Sequence, residues 1–162
     1  MGTEDKEAFL KDFLNNAELR KEYKLVGTHS GAFHCDEVMA SALMLRTDEF
    51  KKSIIVRSRD QDILTQLDVI YDVGGDFDVA KKMFDHHQRP FNSFFWEEHN
   101  ENQKQEYAKA VEEAKSAGKD KDSVDPEDYR ARDNVTKMSS AGLVYKYYGR
   151  EVIKNICETE FK

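Results

Sequence analysis

The pattern of apolar and polar positions predicts short strands separated by helices. Continuous apolar runs predict buried strands at 24–28, 53–57 and 69–73, and a shorter extended segment at 82–84. Apolar residues at helical spacing predict helices within 4–22, from Cys35 to about Leu45, within 61–67, and from Ser139 to about Gly149. Strands that alternate with helices are typical of an α/β fold, with a mainly parallel sheet and helices on both faces.

The ends of these strands predict where a ligand would bind. If the connections are right-handed, the strand ends at Thr28, Asp72 and Phe84 lie on one edge of the sheet. Open sheets of this class bind ligands at the carboxyl ends of their strands. We therefore look for chemistry in the residues that follow these three strands.

Composition divides the chain into three parts. We assign residues 1–23 to an N-terminal helical extension, and residues 24–96 together with 134–162 to the α/β domain. Residues 97–133 are rich in Glu, Lys, Asn, Gln and Asp, and we interpret them as a polar helical insertion. The alternating charges of this insertion are typical of a solvated helix face.

Length and charge exclude several classes of function. The 162 residues suit one domain, and the net charge of −7 gives no basic patch for non-specific binding of nucleic acid. A nuclease whose site becomes electropositive when metals bind is still compatible with this charge. No apolar run approaches the roughly 20 residues that span a bilayer, and no leader sequence is evident, so we expect an intracellular protein without a membrane partner. Cys35 and Cys157 are far apart and predict neither a zinc finger nor a disulfide framework.

Three clusters of potential metal ligands follow the predicted strands. They are His29-x4-His34-x-Asp36, the single Asp72, and the triplet Asp85-His86-His87. Imidazole and carboxylate ligands without thiolate suit Mn²⁺ or Mg²⁺ better than a structural zinc cage. The clusters together therefore predict a metal site.

A two-metal site needs a shared carboxylate, because the two ions lie about 3.5–4 Å apart. Asp72, at a strand end, is the candidate for this bridge; His29 and His34 would serve one ion and Asp36 the other. Each residue also has an ordinary structural interpretation. Asp72 could simply form a turn, and His86 and His87 could point to opposite faces of an extended segment.

Five segments carry a resemblance to a known family. They are GTHSGAFHCDE at 27–37, VRSRD at 56–60, YDVGG at 71–75, FDHHQR at 84–89 and TKMSSAGL at 136–143. In this order they resemble the melanocyte-proliferating-gene family of the DHH phosphoesterase superfamily. The resemblance covers about 24–95 and 136–149.

The resemblance implies a DHH-type Rossmann-like domain and a 3′–5′ exonuclease that acts on RNA or short oligonucleotides in the nucleus and mitochondrion. It implies two Mn²⁺ ions, with Mg²⁺ as the alternative. The implied metal ligands are His29, His34, Asp36, Asp72 and His86. The implied catalytic residues are Asp72, Asp85, His86 and His87, with His87 on the scissile phosphate and Asp85 orienting or ligating beside it. Arg57, Arg59 and Arg89 are candidates for further phosphate contacts.

Two departures from the superfamily pattern keep other functions open. The first motif has His34 where the superfamily has an Asp, and a fourth-motif Asp and a C-terminal substrate domain are missing from the match. Asp133 is a poor substitute for that Asp, because it precedes the last core helix. We therefore expect a completing C-terminal domain, a partner or a homo-oligomer. The alternatives to an exonuclease are a pyrophosphatase-like hydrolase of a small phosphate compound and a non-catalytic metal-binding remnant.

Overall fold

The computed structural model describes residues 3–129 and 136–160, which fall into two units. The first unit is Met1–Phe91 with Met138–Lys162, and the second is Asn92–Lys137. Every candidate site residue named above belongs to the first unit. Asp133 lies outside the described residues.

The sheet of the first unit has five strands in the order β2-β1-β3-β5-β4. They are β1 (Lys24–Thr28), β2 (Ser53–Arg57), β3 (Val69–Tyr71), β4 (Phe77–Asp78) and β5 (Met83–Phe84). β1 pairs in parallel with β2 and β3, and β3 pairs in parallel with β5. Only β4 runs antiparallel, beside β5. The predicted α/β fold with a mainly parallel sheet is confirmed.

Five helices accompany this sheet. They are α1 (Thr3–Asn15), α2 (Ala17–Glu22), α3 (Cys35–Met44), α4 (Gln61–Leu64) and α6 (Ser140–Glu160). The second unit contains α5 (Glu97–Ser116) and two short 3₁₀ helices, Lys121–Ser123 and Pro126–Tyr129. Within residues 3–129 and 136–160, no helix is both long and apolar enough to cross a membrane.

Side chains from consecutive strand positions pack on opposite faces of the sheet, because a strand has a period of two. One core contains Val26, Val69, Tyr71 and Phe84 from the strands, with Ala40 and Met44 of α3 and Leu143 and Val144 of α6. On the other face, Leu25 packs with Leu10 and Phe13 of α1 and with Ile63 of α4. Helices therefore cover both faces, and the strands between them are held rigidly.

Three local features differ from the sequence-based expectation. The N-terminal helix is broken at Asn16, whose side chain accepts the N–H groups of Glu18 and Leu19, each at 3.1 Å, and so begins a new helix. The last helix continues past Gly149 to Glu160, because a glycine costs only about 1 kcal/mol in a helix and Val152 extends the buried face. β4 has only two residues, too few to leave a periodic signal.

An ion pair connects α2 to the amino-terminal ends of β1 and β3, opposite the candidate site. Nη1 and Nη2 of Arg20 donate to the two carboxylate oxygens of Asp68 at 2.8 and 2.9 Å, and the N–H of Leu25 donates to Asp68 at 2.7 Å. Burial alone would raise the pKa of Asp68. The hydrogen bonds from Arg20 and Leu25 and the charges of Arg20 and Lys24 outweigh burial, so the pKa lies below its ordinary value.

We expect Asp68→Asn to lower the free energy of unfolding at neutral pH by about 1–3 kcal/mol, because the charge-assisted hydrogen bonds are lost. The folded-state pKa of Asp68 is below the unfolded value of about 3.9. The advantage of the wild type is therefore present above the unfolded pKa and is lost as the pH falls through the folded one. Urea unfolding of both proteins as a function of pH measures this difference.

Glu18→Gln is the matched control, because it removes the exposed ion pair between Glu18 and Lys21. We expect a much smaller change for this variant. Equal losses in the two variants, or a difference for Asp68→Asn that persists at low pH, would contradict the prediction.

Candidate metal centre

Three neighbouring parallel strands deliver the candidate residues to one edge of the sheet. His29 follows β1, Asp72 follows β3, and Asp85-His86-His87 follows β5. His29, Asp72 and Asp85 are all buried, with exposures of 2%, 4% and 2%. Buried ionisable groups at the carboxyl end of a parallel sheet are the expected arrangement for a ligand site.

The backbone of Asp72 has an uncommon conformation. Its φ is +57°, in the left-handed region, and β3 ends one residue before it. Gly74 and Gly75 continue the turn with φ values of +101° and +75°. Aspartate tolerates this region better than most residues, yet the conformation persists only where the surroundings impose it. The turn aims the carboxylate into the site instead of continuing the strand.

The first potential ligand group comprises His29, His34, Glu37 and Asp72, whose ligand atoms all lie within 4.8 Å of one another. The Nε2 atom of His29 is 3.6 Å from Oε2 of Glu37 and 3.5 Å from Oδ2 of Asp72. The imidazole rings of His29 and His34 are 4.9 Å apart between centroids. Two imidazoles and two carboxylates converging on one point form a suitable ligand set for a divalent cation.

The hydrogen bonding of His29 supports a cation at this point. Its Nδ1 lies 3.2 Å from the carbonyl oxygen of Ser30, which can only accept, so Nδ1 carries a proton. In the neutral ring the lone pair on Nε2 then faces two carboxylates. That atom is buried and has no hydrogen-bond partner among the described residues. A cation bound between the three groups would satisfy the lone pair and neutralise both acids.

Glu37 is a candidate ligand that the sequence analysis missed. It is 1% exposed, in the first turn of α3, and its two oxygens accept the backbone N–H of His34 at 2.7 and 2.9 Å. Burial would raise the pKa of Glu37, but the backbone hydrogen bonds and the nearby histidines lower it below its ordinary value. The available signal was a Glu three residues after a helix N-cap, which by itself predicts only a capping box.

The second potential ligand group comprises Asp72, Asp85, His86 and His87. Asp72 therefore belongs to both groups, as a bridging carboxylate must. Its Oδ1 is 3.8 Å from Nδ1 of His86 and 3.6 Å from Nδ1 of His87. Burial raises the pKa of Asp72 and the carboxylate of Asp36 raises it further; His87, His29 and His86 compensate only in part.

Asp85 has the geometry of an orienting residue. Its Oδ1 accepts the backbone N–H groups of His86 and His87 at 2.8 and 3.3 Å, and Nδ1 of His87 at 2.7 Å. Its Oδ2 accepts the N–H of Gly75 at 2.6 Å. Burial would raise the pKa of Asp85, but these hydrogen bonds lower it overall. Because Asp85 holds Nδ1, Nε2 is the nitrogen of the exposed His87 ring that is left for a ligand.

Asp36 lies beside the second group and is absent from both potential ligand groups. Its Oδ1 accepts the hydroxyl of Ser139 at 2.8 Å and the N–H of Ala141 at 2.6 Å, and its Oδ2 accepts the N–H of Ser140 at 3.0 Å. Asp36 thus caps the positive N-terminal end of α6. Its Oδ2 is also 3.5 Å from Nδ1 of His86, so a ligand role for Asp36 stays a prediction.

Ser140 connects several members of the site. Its hydroxyl oxygen is fully buried, 2.8 Å from Nδ1 of His86 and 3.4 Å from Oδ1 of Asp72. A metal-binding histidine commonly uses its second ring nitrogen for a hydrogen bond that fixes the ring. The hydroxyl and the backbone N–H of Ser140, the latter at 3.1 Å, both contact Nδ1 and fix the ring of His86 beside the two acids; no pattern in the sequence indicates this contact.

The three candidate arginines are placed differently. Arg59 lines a cavity of about 460 Å³ with His29, His34, Asp72, Asp85 and His87. Arg57 donates to backbone carbonyls of the 29–32 loop and does not line this cavity. Arg89 is exposed and is also absent from the cavity lining. Of the three, only Arg59 lines this cavity.

Comparison with known proteins shows one family. The profile described as "Uncharacterised protein family (UPF0160)", with the short name MYG1_exonuc, matches residues 25–162. A MYG1 protein of Caenorhabditis elegans is 40% identical over 82% of this chain and 30% of its own length. A MYG1 protein of Schizosaccharomyces pombe is 38% identical over 79% of this chain and 28% of its own. The MYG1 exonuclease of Homo sapiens is 33% identical over 83% of this chain and 28% of its own.

The chain therefore spans about three tenths of the length of these curated relatives. No solved structure matches it.

If Glu37 is a ligand, Glu37→Gln should weaken binding of Mn²⁺ by about 10- to 100-fold, because one anionic oxygen donor is lost. Isothermal titration calorimetry measures this affinity. Glu112→Gln, on the exposed face of α5, is the matched control and should bind as the wild type does. Unchanged affinity in Glu37→Gln would limit Glu37 to its capping role.

Ser140→Ala and Ser139→Ala form a second matched pair. Removing the Ser140 hydroxyl takes away one of the two Ser140 groups that contact Nδ1 of His86 and leaves only the backbone N–H, so we expect up to about a 10-fold loss of Mn²⁺ affinity. Ser139→Ala removes a hydrogen bond to Asp36 and one from the N–H of Gly142, neither of which touches a histidine, so its loss should be smaller. A larger effect at Ser139 in the same titration would indicate that the capping of Asp36 matters more than the support of His86.

Proposed function

The chain belongs to the MYG1 exonuclease family, and from this we propose that it is a metal-dependent phosphodiester hydrolase acting as a 3′–5′ exonuclease on RNA or short oligonucleotides. The observation that carries the proposal is the position of Asp72. Its buried carboxylate is shared by two groups of potential ligands at one sheet edge. A shared carboxylate is the feature that a two-metal hydrolase requires.

The two ligand groups support a division of roles. His29, His34 and Glu37 would hold one cation and His86 the other, and Asp72 would be shared by both. We assign Asp36, which lies 3.5 Å from His86, to the second cation from the family resemblance. Divalent ions there, Mn²⁺ or Mg²⁺, would lower the pKa of a bound water and offset charge on the phosphate oxygens. His29, Asp72 and His86 are held firmly, because they follow strands whose side chains are buried on both faces.

His87 is the residue best placed to contact the scissile phosphate. Its Nδ1 donates to the buried Asp85 at 2.7 Å, which fixes the ring, and His87 lines the cavity. In its protonated form, Nε2 would donate to a phosphate oxygen as charge develops there. Arg59, which lines the same cavity, offers a fork of donors for the remaining phosphate oxygens.

The charge of the chain favours short substrates. The net charge is −7, and Arg59 is the one arginine among the described residues that lines the cavity. Tracking of a long nucleic-acid backbone normally needs a continuous basic groove. This observation keeps a pyrophosphatase-like hydrolase of a small phosphate compound as the second candidate. The capping of α6 by Asp36 keeps open a metal-binding remnant without turnover.

Asp72→Asn tests the proposal directly. Asparagine tolerates a left-handed backbone, so the turn at Asp72 should survive while the charge is lost. With a 5′-labelled single-stranded RNA and Mn²⁺, we expect the wild type to give a ladder shortened from the 3′ end. The variant should be slower by about 100-fold or more. Asp62→Asn, at an exposed position of α4, is the control that should retain the wild-type rate.

Other outcomes distinguish the alternatives. Release of the label as a mononucleotide would reverse the polarity. Hydrolysis of pyrophosphate without cleavage of RNA would favour the small-substrate hydrolase. Bound Mn²⁺ with no turnover of either substrate would indicate a metal-binding remnant, or a site completed by another domain or partner.

A further inference from the structure

Phe33 is an exposed aromatic ring with no role in the core. It is 74% exposed, the highest value among the exposed large hydrophobic residues of the described chain. An isolated exposed aromatic side chain is common on protein surfaces and needs no explanation by itself. Phe33 differs because its position is fixed and lies next to the metal centre.

Arg57 fixes the ring from one side. The guanidinium carbon of Arg57 lies 3.7 Å from the centroid of the Phe33 ring. Nε of Arg57 donates to the carbonyl of His29 at 3.1 Å, and Nη2 donates to the carbonyls of Gly31 and Ala32 at 3.2 and 3.3 Å. Arg57 is thus bound to the loop that carries Phe33, and the cation–π contact orders the ring.

The loop places this ring beside the first ligand group. His29 and His34 begin and end the loop, and both belong to that group. Phe33 directly precedes His34, so their Cα atoms are only about 3.8 Å apart. Gly31, with φ at +105°, makes the turn that a side chain would strain. One face of the Phe33 ring is covered by Arg57, and its high exposure leaves the other face open.

We propose that Phe33, held by Arg57, is a stacking platform for a nucleobase next to the scissile phosphate. This inference rests on the proposed function and adds the substrate contact that a weakly basic site lacks. Every nucleobase has an aromatic face, so one ring binds all of them with little sequence preference. A nucleobase fits better than a protein partner, because the chain neighbours of Phe33, Ala32 and His34, are small or polar and do not extend an apolar surface.

Stacking also explains how a chain of net charge −7 could hold a nucleotide. The ligand groups would hold the phosphate end, and Phe33 would hold the base. The residues named for catalysis would not need a basic groove to orient the substrate. The prediction is a site that recognises one terminal nucleotide and tolerates any base.

The experiment measures base binding separately from hydrolysis. The probe is a short oligoribonucleotide with 2-aminopurine as its 3′-terminal base, in the presence of Ca²⁺, a hard cation for the same oxygen ligands. We expect the wild type to quench the 2-aminopurine fluorescence by stacking. Phe33→Ala should lose the quench and bind about 5- to 100-fold more weakly. Phe33→Tyr keeps the ring and should restore both.

Two controls isolate the platform. Phe9→Ala removes an exposed phenylalanine of α1, and this variant should bind as the wild type does. An oligonucleotide whose 3′-terminal nucleotide lacks a base should bind the wild type and Phe33→Ala equally. Thermal unfolding by circular dichroism verifies that Phe33→Ala is folded.

The proposal is overturned if Phe33→Ala keeps both the fluorescence quench and the affinity of the wild type. It is also overturned if the wild type binds the abasic oligonucleotide as tightly as the complete one, or binds neither oligonucleotide. Failure of the proposed function has a different signature. Quenching that depends on Phe33, without cleavage in Mn²⁺, would contradict hydrolysis and support the platform. Cleavage that is indifferent to Phe33 would support hydrolysis and contradict the platform.

Discussion

The parallel pairing of β1, β3 and β5 is the constraint on which the site depends. Neighbouring parallel strands end at the same edge, so His29, Asp72 and Asp85 meet although other elements separate them in the chain. Val26, Tyr71 and Phe84, on these three strands, are fully buried between sheet and helices. The close packing of this core holds the ligands where they are, because a shift of one strand would open a cavity or create overlap. The site is therefore as rigid as the core beneath it.

This arrangement brings several carboxylates close together, and each of them is stabilised by different contacts. Asp85 is saturated with hydrogen bonds, and Asp36 caps α6, where the helix dipole favours a negative charge. Glu37 is stabilised by the backbone of His34 and lies 3.6 Å from the guanidinium of Arg57. Asp72 is left with a raised pKa and an acidic neighbour, and it faces the unpaired nitrogen of His29. The electrostatics thus point to a cation beside Asp72.

The loop between β1 and α3 carries both metal-ligand candidates and the exposed Phe33, and Arg57 contacts this loop. Its ends supply His29 and His34 to the ligand group, and its middle presents Phe33 to solvent. Arg57 holds three carbonyls of the loop, lies against the Phe33 ring and approaches Glu37. A phosphate contact by Arg57 stays a prediction; in the structure its donors order the loop. In the proposed enzyme, this arginine would couple base binding to the metal ligands.

The sequence by itself determined the strands, their parallel arrangement and the residues that follow them, because apolar runs and the ligand types beside them are local patterns. It predicted His29, His34, Asp36, Asp72, Asp85, His86 and His87 as members of one site. The structure places all of them except Asp36 in two groups that share Asp72. It did not predict the part played by Glu37, because a buried ligand and a simple capping residue look alike in sequence. Only the tertiary structure decided that Asp36 binds residues more than 100 positions later, that Ser140 contacts His86, and that Asp85 contacts His87 through Nδ1. These are hydrogen bonds whose partners are chosen by packing, and packing has no periodicity that a sequence could show.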